Sequence, residues 1–319
     1  MSIFRKRGAM KKTLILLIFA VCLLTSCADN GYADNSHGNI VFTDALGRTV
    51  SVKKNPKRVA ALLGSFADVW ITAGGTVCAC PNDTWEEYGH NPSDAVNIGG
   101  AHSPNLELLL SADPDLVIAS ASTAADVAMK DTLEALGITV AYFDVDNFYD
   151  YLVMLDVCTD ITGRKDLYKT YGLDIKTEIE QIKARYAEEN GEHSVLLLRA
   201  TASTVKAKGS EGTVLGEMLS DMGCINIADS EKSLLDTLSV ESVILQNPKS
   251  IFVVAMGNDI AAAERLYNSM IKENPAWSTL DAVKNGRMFV MDRKLFNLKP
   301  NSRWAEAYEV LYETLTSDK

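Results

Sequence analysis

Arg199 follows Val195-Leu196-Leu197-Leu198, a run of four aliphatic residues that reads as a buried strand, so its guanidinium emerges where that strand ends. A charge in such a place needs an acidic partner or a solvent-filled cleft, because an unpaired ion in an apolar interior is strongly disfavoured. The guanidinium offers forked hydrogen bonds to carboxylate or catecholate oxygens, which suits an anionic guest. Catalytic groupings are missing. The histidines His37, His90, His102 and His193 are scattered, and there is no Gly-x-Gly-x-x-Gly, Gly-Lys-Ser/Thr, Gly-x-Ser-x-Gly or His-Glu-x-x-His. Cys78 and Cys80 stand two apart in an apolar stretch, where a strand would put them on one face, but no His or second Cys pair lies near them to complete a metal site. With Cys158 and Cys224 they read as small buried apolar residues, and no disulfide framework follows. These residues point to non-covalent binding, with an enzyme as the main rival.

Charge and the N-terminus place that binding activity. The net charge is -11, and residues 1–26 contain five basic residues (Arg5, Lys6, Arg7, Lys11, Lys12) and no acidic ones. Without that segment 26 basic residues face 42 acidic ones, a balance of -16. A body so acidic repels phosphate backbones, which argues against nucleic acid as a partner. The uncharged run Thr13 to Ser26 is too short to span a bilayer, and it follows basic residues as in a secretory signal. Its end, Leu24-Thr25-Ser26-Cys27, resembles the bacterial lipobox, which implies a signal peptide over 1–26, a diacylated Cys27 as mature N-terminus and an extracytoplasmic protein anchored to the cell membrane. Met10-Lys11-Lys12 looks like the natural start of that signal. The polar stretch 28–39 reads as a flexible tether.

The elements that must position Arg199 alternate between strand and helix. Ile40–Val52 reads as a hairpin turning at Gly47. Strands are expected at 58–63, 115–119 and 138–143, then again at 195–198, 250–254 and 287–291. Between the two groups, 150–189 lacks strand signal. There Tyr168, Tyr171, Ile175, Ile179, Ile182 and Tyr186 recur at helical spacing, with Gly172 as a weak spot. The expected organisation is therefore an α/β lobe over 40–148, a linking helical segment over 149–190 and a second α/β lobe over 191–319. The lobes share a repeat. Asn105-Leu106-Glu107 leads through Pro114 into Leu116-Val117-Ile118, and Ser239-Val240-Glu241 leads through Pro248 into Ile251-Phe252-Val253-Val254. In each a good N-cap precedes an acidic first turn, a proline ends the helix and an aliphatic strand follows.

From Ile40 to Leu315 the order and spacing of these features resemble the iron-complex and cobalamin group of periplasmic binding proteins, the receiving subunits of ATP-driven importers. The features are Arg58-Val59, Asn105-Leu106-Glu107 with its strand, the long helix, Ser239-Val240-Glu241, and the stretch from Asn274-Pro275-Ala276-Trp277 to Gly286-Arg287. The resemblance implies two Rossmann-like lobes joined by one long helix, the class III fold, with ligand held between them. It also implies that Glu107 and Glu241 dock on arginines of a permease dimer that works with an ATPase. In open α/β sheets ligands lie beyond the carboxyl ends of strands, so the cleft loops are expected to present Ser65, Trp85, Tyr88, His102, Arg199, Arg293, Phe296 and Arg303, with Lys299 on the last loop. Those aromatic and basic groups suit a bulky, planar or anionic ligand. The family's guests are ferric siderophores, haem and cobalamin. No dense His/Tyr/Asp cluster is present for a bare metal ion, so an intact iron chelate is expected, bound by a monomer without a resident cofactor. Cobalamin is the competing guest, and a sensor subunit or adhesin on the same scaffold is the competing role.

Overall fold

The computed structural model describes residues 33–35 and 38–317, apart from 190, 191 and 258. The signal segment and Cys27 lie outside the described residues. Among the described residues no helix is long and apolar enough to cross a membrane.

A small antiparallel sheet opens the body, with β1 (Ala33–Asn35), β2 (Asn39–Thr43) and β3 (Thr49–Lys53) in that order. The hairpin expected over 40–52 is β2 and β3, turning through Gly47 at φ +74°. Part of the expected tether is itself strand, because β1 pairs with β2 from Ala33 opposite Val41 to Asn35 opposite Asn39.

The N-terminal lobe is built on a parallel sheet. Its strands are β4 (Val59–Ala61), β5 (Val77–Cys80), β6 (Val96–Asn97), β9 (Leu116–Ser120) and β10 (Thr139–Phe143), arranged β10-β9-β4-β5-β6. The short ribbon of β7 (Gly99–Gly100) and β8 (Ser103–Pro104) lies apart from it. Strand order reverses between the parallel neighbours β4 and β9, with later strands added on either side, which opens a crevice beyond their carboxyl ends. In the C-terminal lobe the order is β12-β11-β14-β15. These strands are β11 (His193–Ala200), β12 (Val205–Lys208), β14 (Ser250–Ala255) and β15 (Met288–Met291), with β13 (Cys224–Asn226) also paired to β11. Here β12 is antiparallel to β11, whereas β14 is parallel to it. The reversal of strand order between the parallel pair β11 and β14 opens the second half of the crevice.

The strands read as unbroken aliphatic runs because both faces of each sheet are covered. On β11 and β14, Val195, Leu197 and Phe252 enter one core while Leu196, Leu198 and Val253 enter another. The first of these cores also receives Phe66, Trp70, Phe143, Phe148 and Trp304, so a single apolar body runs through both lobes and the helices between them. The two cysteines of β5 do not share a face. Cys80 is fully buried in that shared core, whereas half-buried Cys78 packs with Ala79 and Ile98 in a separate core of the N-terminal lobe. A register shift against β4 at Val59/Ala60 breaks the simple alternation.

The linking region contains two helices. Phe148–Thr162 begins at a capping box on Asn147 and Asp150 and ends at Gly163, which takes φ +71°. Its start packs Phe148 edge-on against Trp304, ring centroids 6.0 Å apart. The long joining helix then runs from Lys165 to Glu189, with a π-helical segment over Lys169–Asp174. That wider winding displaces the stripe. Ile175, Ile179, Ile182 and Tyr186 are buried as expected, but Tyr171 is rotated out to 36% exposure. The Tyr171 carbonyl instead accepts the Tyr151 hydroxyl at 2.9 Å. Gly172 sits close under its neighbours here, since a Cβ there would stand 3.1 Å from side-chain atoms of both Leu152 and Tyr168, which would have to shift.

The repeat between lobes holds in three dimensions. Leu106–Ser111 and Val240–Gln246 are both helices, capped by Asn105 Oδ1 and Ser239 Oγ through the N–H groups of Leu108 and Ser242. Each unit turns into its strand through a residue in the left-handed region just before the proline, Asp113 at φ +47° and Asn247 at φ +40°.

Candidate functional site: the interlobe cleft

A cleft of about 520 Å³ lies between the lobes, beyond the carboxyl ends of β4, β9, β10, β11 and β14. The N-terminal wall is rich in hydroxyls. Ser65 opens the helix Gly64–Thr72, and Tyr88 and His102 stand beside it. After β9 comes a tight turn in which the Ser120 and Ser122 hydroxyls lie 3.0 Å apart. Asp126 underpins that turn, its Oδ2 accepting the Ser120 N–H at 2.9 Å. This carboxyl group is fully buried, and burial pushes its pKa up to about 7.

Asp83 belongs to the same wall. Its Oδ2 accepts the Gly64 N–H at 3.1 Å, and burial raises its pKa from the ordinary value. The approach is close, since a Cβ on Gly64 would lie 2.7 Å from the Asp83 carboxylate and the Thr84 nitrogen. Burial likewise raises the Tyr88 phenol.

The C-terminal wall carries the positive charge. Arg199 is half-buried where β11 meets the cleft, and desolvation lowers its pKa. No acidic residue among the described residues pairs with it. Behind it, on the adjacent strand and outside the cleft lining, Lys206 stands opposite Arg199 in register, and Lys208 shares a small neighbouring cavity with Arg199, its pKa lowered by desolvation, then by Arg199 and Lys206. Two desolvated cations without an acid between them form a local positive site in an acidic protein.

Ser65, Tyr88, His102, Arg199 and Lys299 thus meet at one cavity. Four other expected ligand residues do not line it. Trp85 is packed against the shared core, and Phe296 is 2% exposed within that core. Arg293 is taken by Glu87 of the opposite lobe, Nη1 to Oε1 at 2.7 Å. Arg303 is bound by both oxygens of Glu306, at 2.6 and 2.7 Å, beside a smaller neighbouring cavity. The sequence reading placed a residue at a loop but had no means of setting which way its side chain turned. Asp83, Thr123, Asp146, Thr213 and Met256 were missed although they line the cleft. Asp146 and Met256 follow the carboxyl ends of β10 and β14, so the strand-end rule already pointed to them. Thr213 had another signal, as the N-cap of helix Val214–Asp221.

No group of three His, Cys, Asp or Glu among the described residues is arranged to hold a metal ion. Glu107 and Glu241 lie away from the cleft, both exposed in the first turns of the repeated helices, and Glu241 accepts the Ser239 hydroxyl at 3.0 Å.

Known proteins share this architecture. The chain is 26% identical to a putative ABC transporter substrate-binding lipoprotein, YhfQ, of Bacillus subtilis, over 93% of this chain and 96% of that one. It is also 26% identical to the Fe(3+)-citrate-binding protein YfmC of Bacillus subtilis, over 87% and 88%. Among solved structures, the siderophore-binding protein BauB, bound to two molecules of acinetobactin and ferric iron, superposes with a TM-score of 0.70 at 19% identity, covering 86% of this chain and 98% of that one. That likeness establishes the class III fold of two α/β lobes on a joining helix. The family model for periplasmic binding proteins matches residues 59–295, most of the described body, and the chain belongs to that family.

Proposed function

We propose that this chain is the substrate-binding lipoprotein of an ABC importer, that it is not an enzyme, and that it captures an intact, negatively charged iron chelate between its lobes. The observation that carries this reading is Arg199, half-buried at the mouth of β11 without an acidic partner and facing a wall of hydroxyls. Holding a desolvated cation in that state is unfavourable unless a guest completes it. The names of the relatives, one a ferric citrate binder, support the same class of guest. Ser65, Tyr88, His102 and Lys299 are the further contacts this reading assigns.

In the same reading Cys27 carries the lipid anchor and Glu107 and Glu241 engage a permease that works with an ATPase. Two acyl chains give stable anchoring where one is marginal. Titration with ferric citrate, ferric hydroxamate and catecholate siderophores, haem and cobalamin tests the guest. Tight binding of one or more anionic ferric chelates, weakened by Arg199→Ala, is expected. Binding of cobalamin alone, unaffected by Arg199→Ala, rejects the assignment. Intact-mass measurement of the mature protein tests the anchor, and an unmodified Cys27 rejects it.

A further inference from the structure

The described hydrogen bonds between the two lobes gather on one short strap, Arg293–Asn301, which leaves β15 and crosses the edge of the cleft. At its start Arg293 Nη1 meets Glu87 Oε1 at 2.7 Å, and Lys294 Nζ donates to the Glu87 carbonyl at 3.2 Å. In the middle, Leu295 and Phe296 are buried and anchor the strap to its own lobe. Lys299 Nζ then reaches Asp146 Oδ1 at 3.4 Å, and both residues line the cleft. At the far end Asn301 is 1% exposed and holds φ +53°. Its Nδ2 donates to the Ser65 carbonyl at 2.8 Å and to Asp68 Oδ2 at 2.6 Å, while Asp68 Oδ1 is held by His90 Nε2 at 2.6 Å.

The two ends differ in kind. The Asn301 contacts are buried, short and made by a side chain whose backbone is already committed to the left-handed region, so that end is fixed. The ion pairs at Glu87 and Asp146 are part-exposed, and pairs of that kind are individually weak and sensitive to salt.

We propose that the strap Arg293–Asn301 is an electrostatic clasp that sets the width of the cleft in the unliganded protein, with Asn301 as its fixed pin and the Glu87–Arg293 and Asp146–Lys299 pairs as its releasable end. An anionic guest entering the cleft competes with Asp146 for Lys299, so the clasp also couples occupancy to lobe spacing. Only this last step rests on the importer reading. The clasp itself stands on the free protein.

Hydrogen–deuterium exchange on the detergent-solubilised full chain, without ligand, tests it. The double variant Glu87→Gln, Asp146→Asn is expected to speed exchange about fivefold in 293–301 and also in the cleft loops 63–66 and 199–201, the signature of a sub-global opening. Wild type should show the same pattern, more weakly, when salt is raised from about 50 mM to about 500 mM, because the Debye length then falls well below 10 Å. Asn301→Gly keeps the left-handed backbone but removes the pin, and should speed exchange in 64–72 independently of salt. Unchanged exchange in the double variant and in high salt overturns the clasp. An increase confined to 293–301, with the cleft loops unaffected, also overturns it, since the pairs would then tie down only the strap. The salt series on wild type decides the matter if the double variant does not fold. None of these readouts requires a ligand, so failure of the clasp and failure of the importer reading are separate results.

Discussion

Asp126 lies directly beneath Ser120, its Oδ2 accepting the Ser120 backbone N–H at 2.9 Å, so a fully buried carboxyl group shapes the turn that lines the cleft. Burial raises its pKa from 3.8 to about 7. The folded chain therefore binds this proton more tightly than the unfolded chain does. The associated stability is fully present below about pH 4 and is lost as pH rises to about 7, by up to ~4 kcal/mol. Asp126→Asn keeps the acceptor for Ser120 and removes the titration. Thermal melts from pH 4 to 8 should show wild type losing stability relative to the variant across that window. Parallel curves for the two proteins would show that Asp126 stays ionised when folded.

Arg199 should show opposite effects on binding and stability. Arg199→Met removes a desolvated cation that has no partner among the described residues, so the unliganded protein should melt no lower than wild type and about 1 kcal/mol of stability should be gained. Affinity for an anionic chelate should fall roughly thirtyfold, the equivalent of about 2 kcal/mol for one charge-assisted contact. Calorimetry and a thermal melt on the same preparation measure both effects.

Gly64→Ala should damage the cleft without touching a ligand. The new Cβ would stand 2.7 Å from the Asp83 carboxylate and from the Thr84 nitrogen, a backbone atom that has little freedom to yield. Overpacking of this kind costs about 1–3 kcal/mol. Displacement of the segment leading to Tyr88 should lower affinity even where residual stability is adequate, which a melt combined with a titration would detect.

The two exposed glutamates should separate delivery from capture. Glu107→Ala or Glu241→Ala alone should reduce uptake modestly, because one exposed ion pair contributes only about 0–1 kcal/mol. The double substitution should reduce uptake more than tenfold while leaving ligand affinity and melting temperature unchanged, because both residues lie away from the cleft. Transport by cells expressing each variant, compared at low and high ionic strength, measures the difference. Uptake that survives the double change under both conditions removes the docking role.

Much of this protein was determined by local sequence alone. The alternation of aliphatic runs with amphipathic segments dictates α/β lobes, because strands covered on both faces must be aliphatic throughout. The paired units from Asn105 to Pro114 and from Ser239 to Pro248 specify cap, helix and stop by short-range chemistry, and the structure forms both, down to the left-handed residue before each proline. Arg199 was legible for the same reason, since a charge ending a buried strand stands out in one dimension. Tertiary structure alone decided which loop residues turn toward the cleft. Arg293 and Arg303 have the right chemistry and the right loop, but Glu87, 206 residues away, and Glu306 capture them, while Phe296 is drawn into the core. The π-helical segment at Gly172 and the opposite faces of Cys78 and Cys80 were likewise hidden, because each depends on a contact or a strand register set elsewhere in the chain. Helix and strand propensities act over a few residues, whereas side-chain orientation is settled by whichever distant partner offers the better hydrogen bond or the drier pocket.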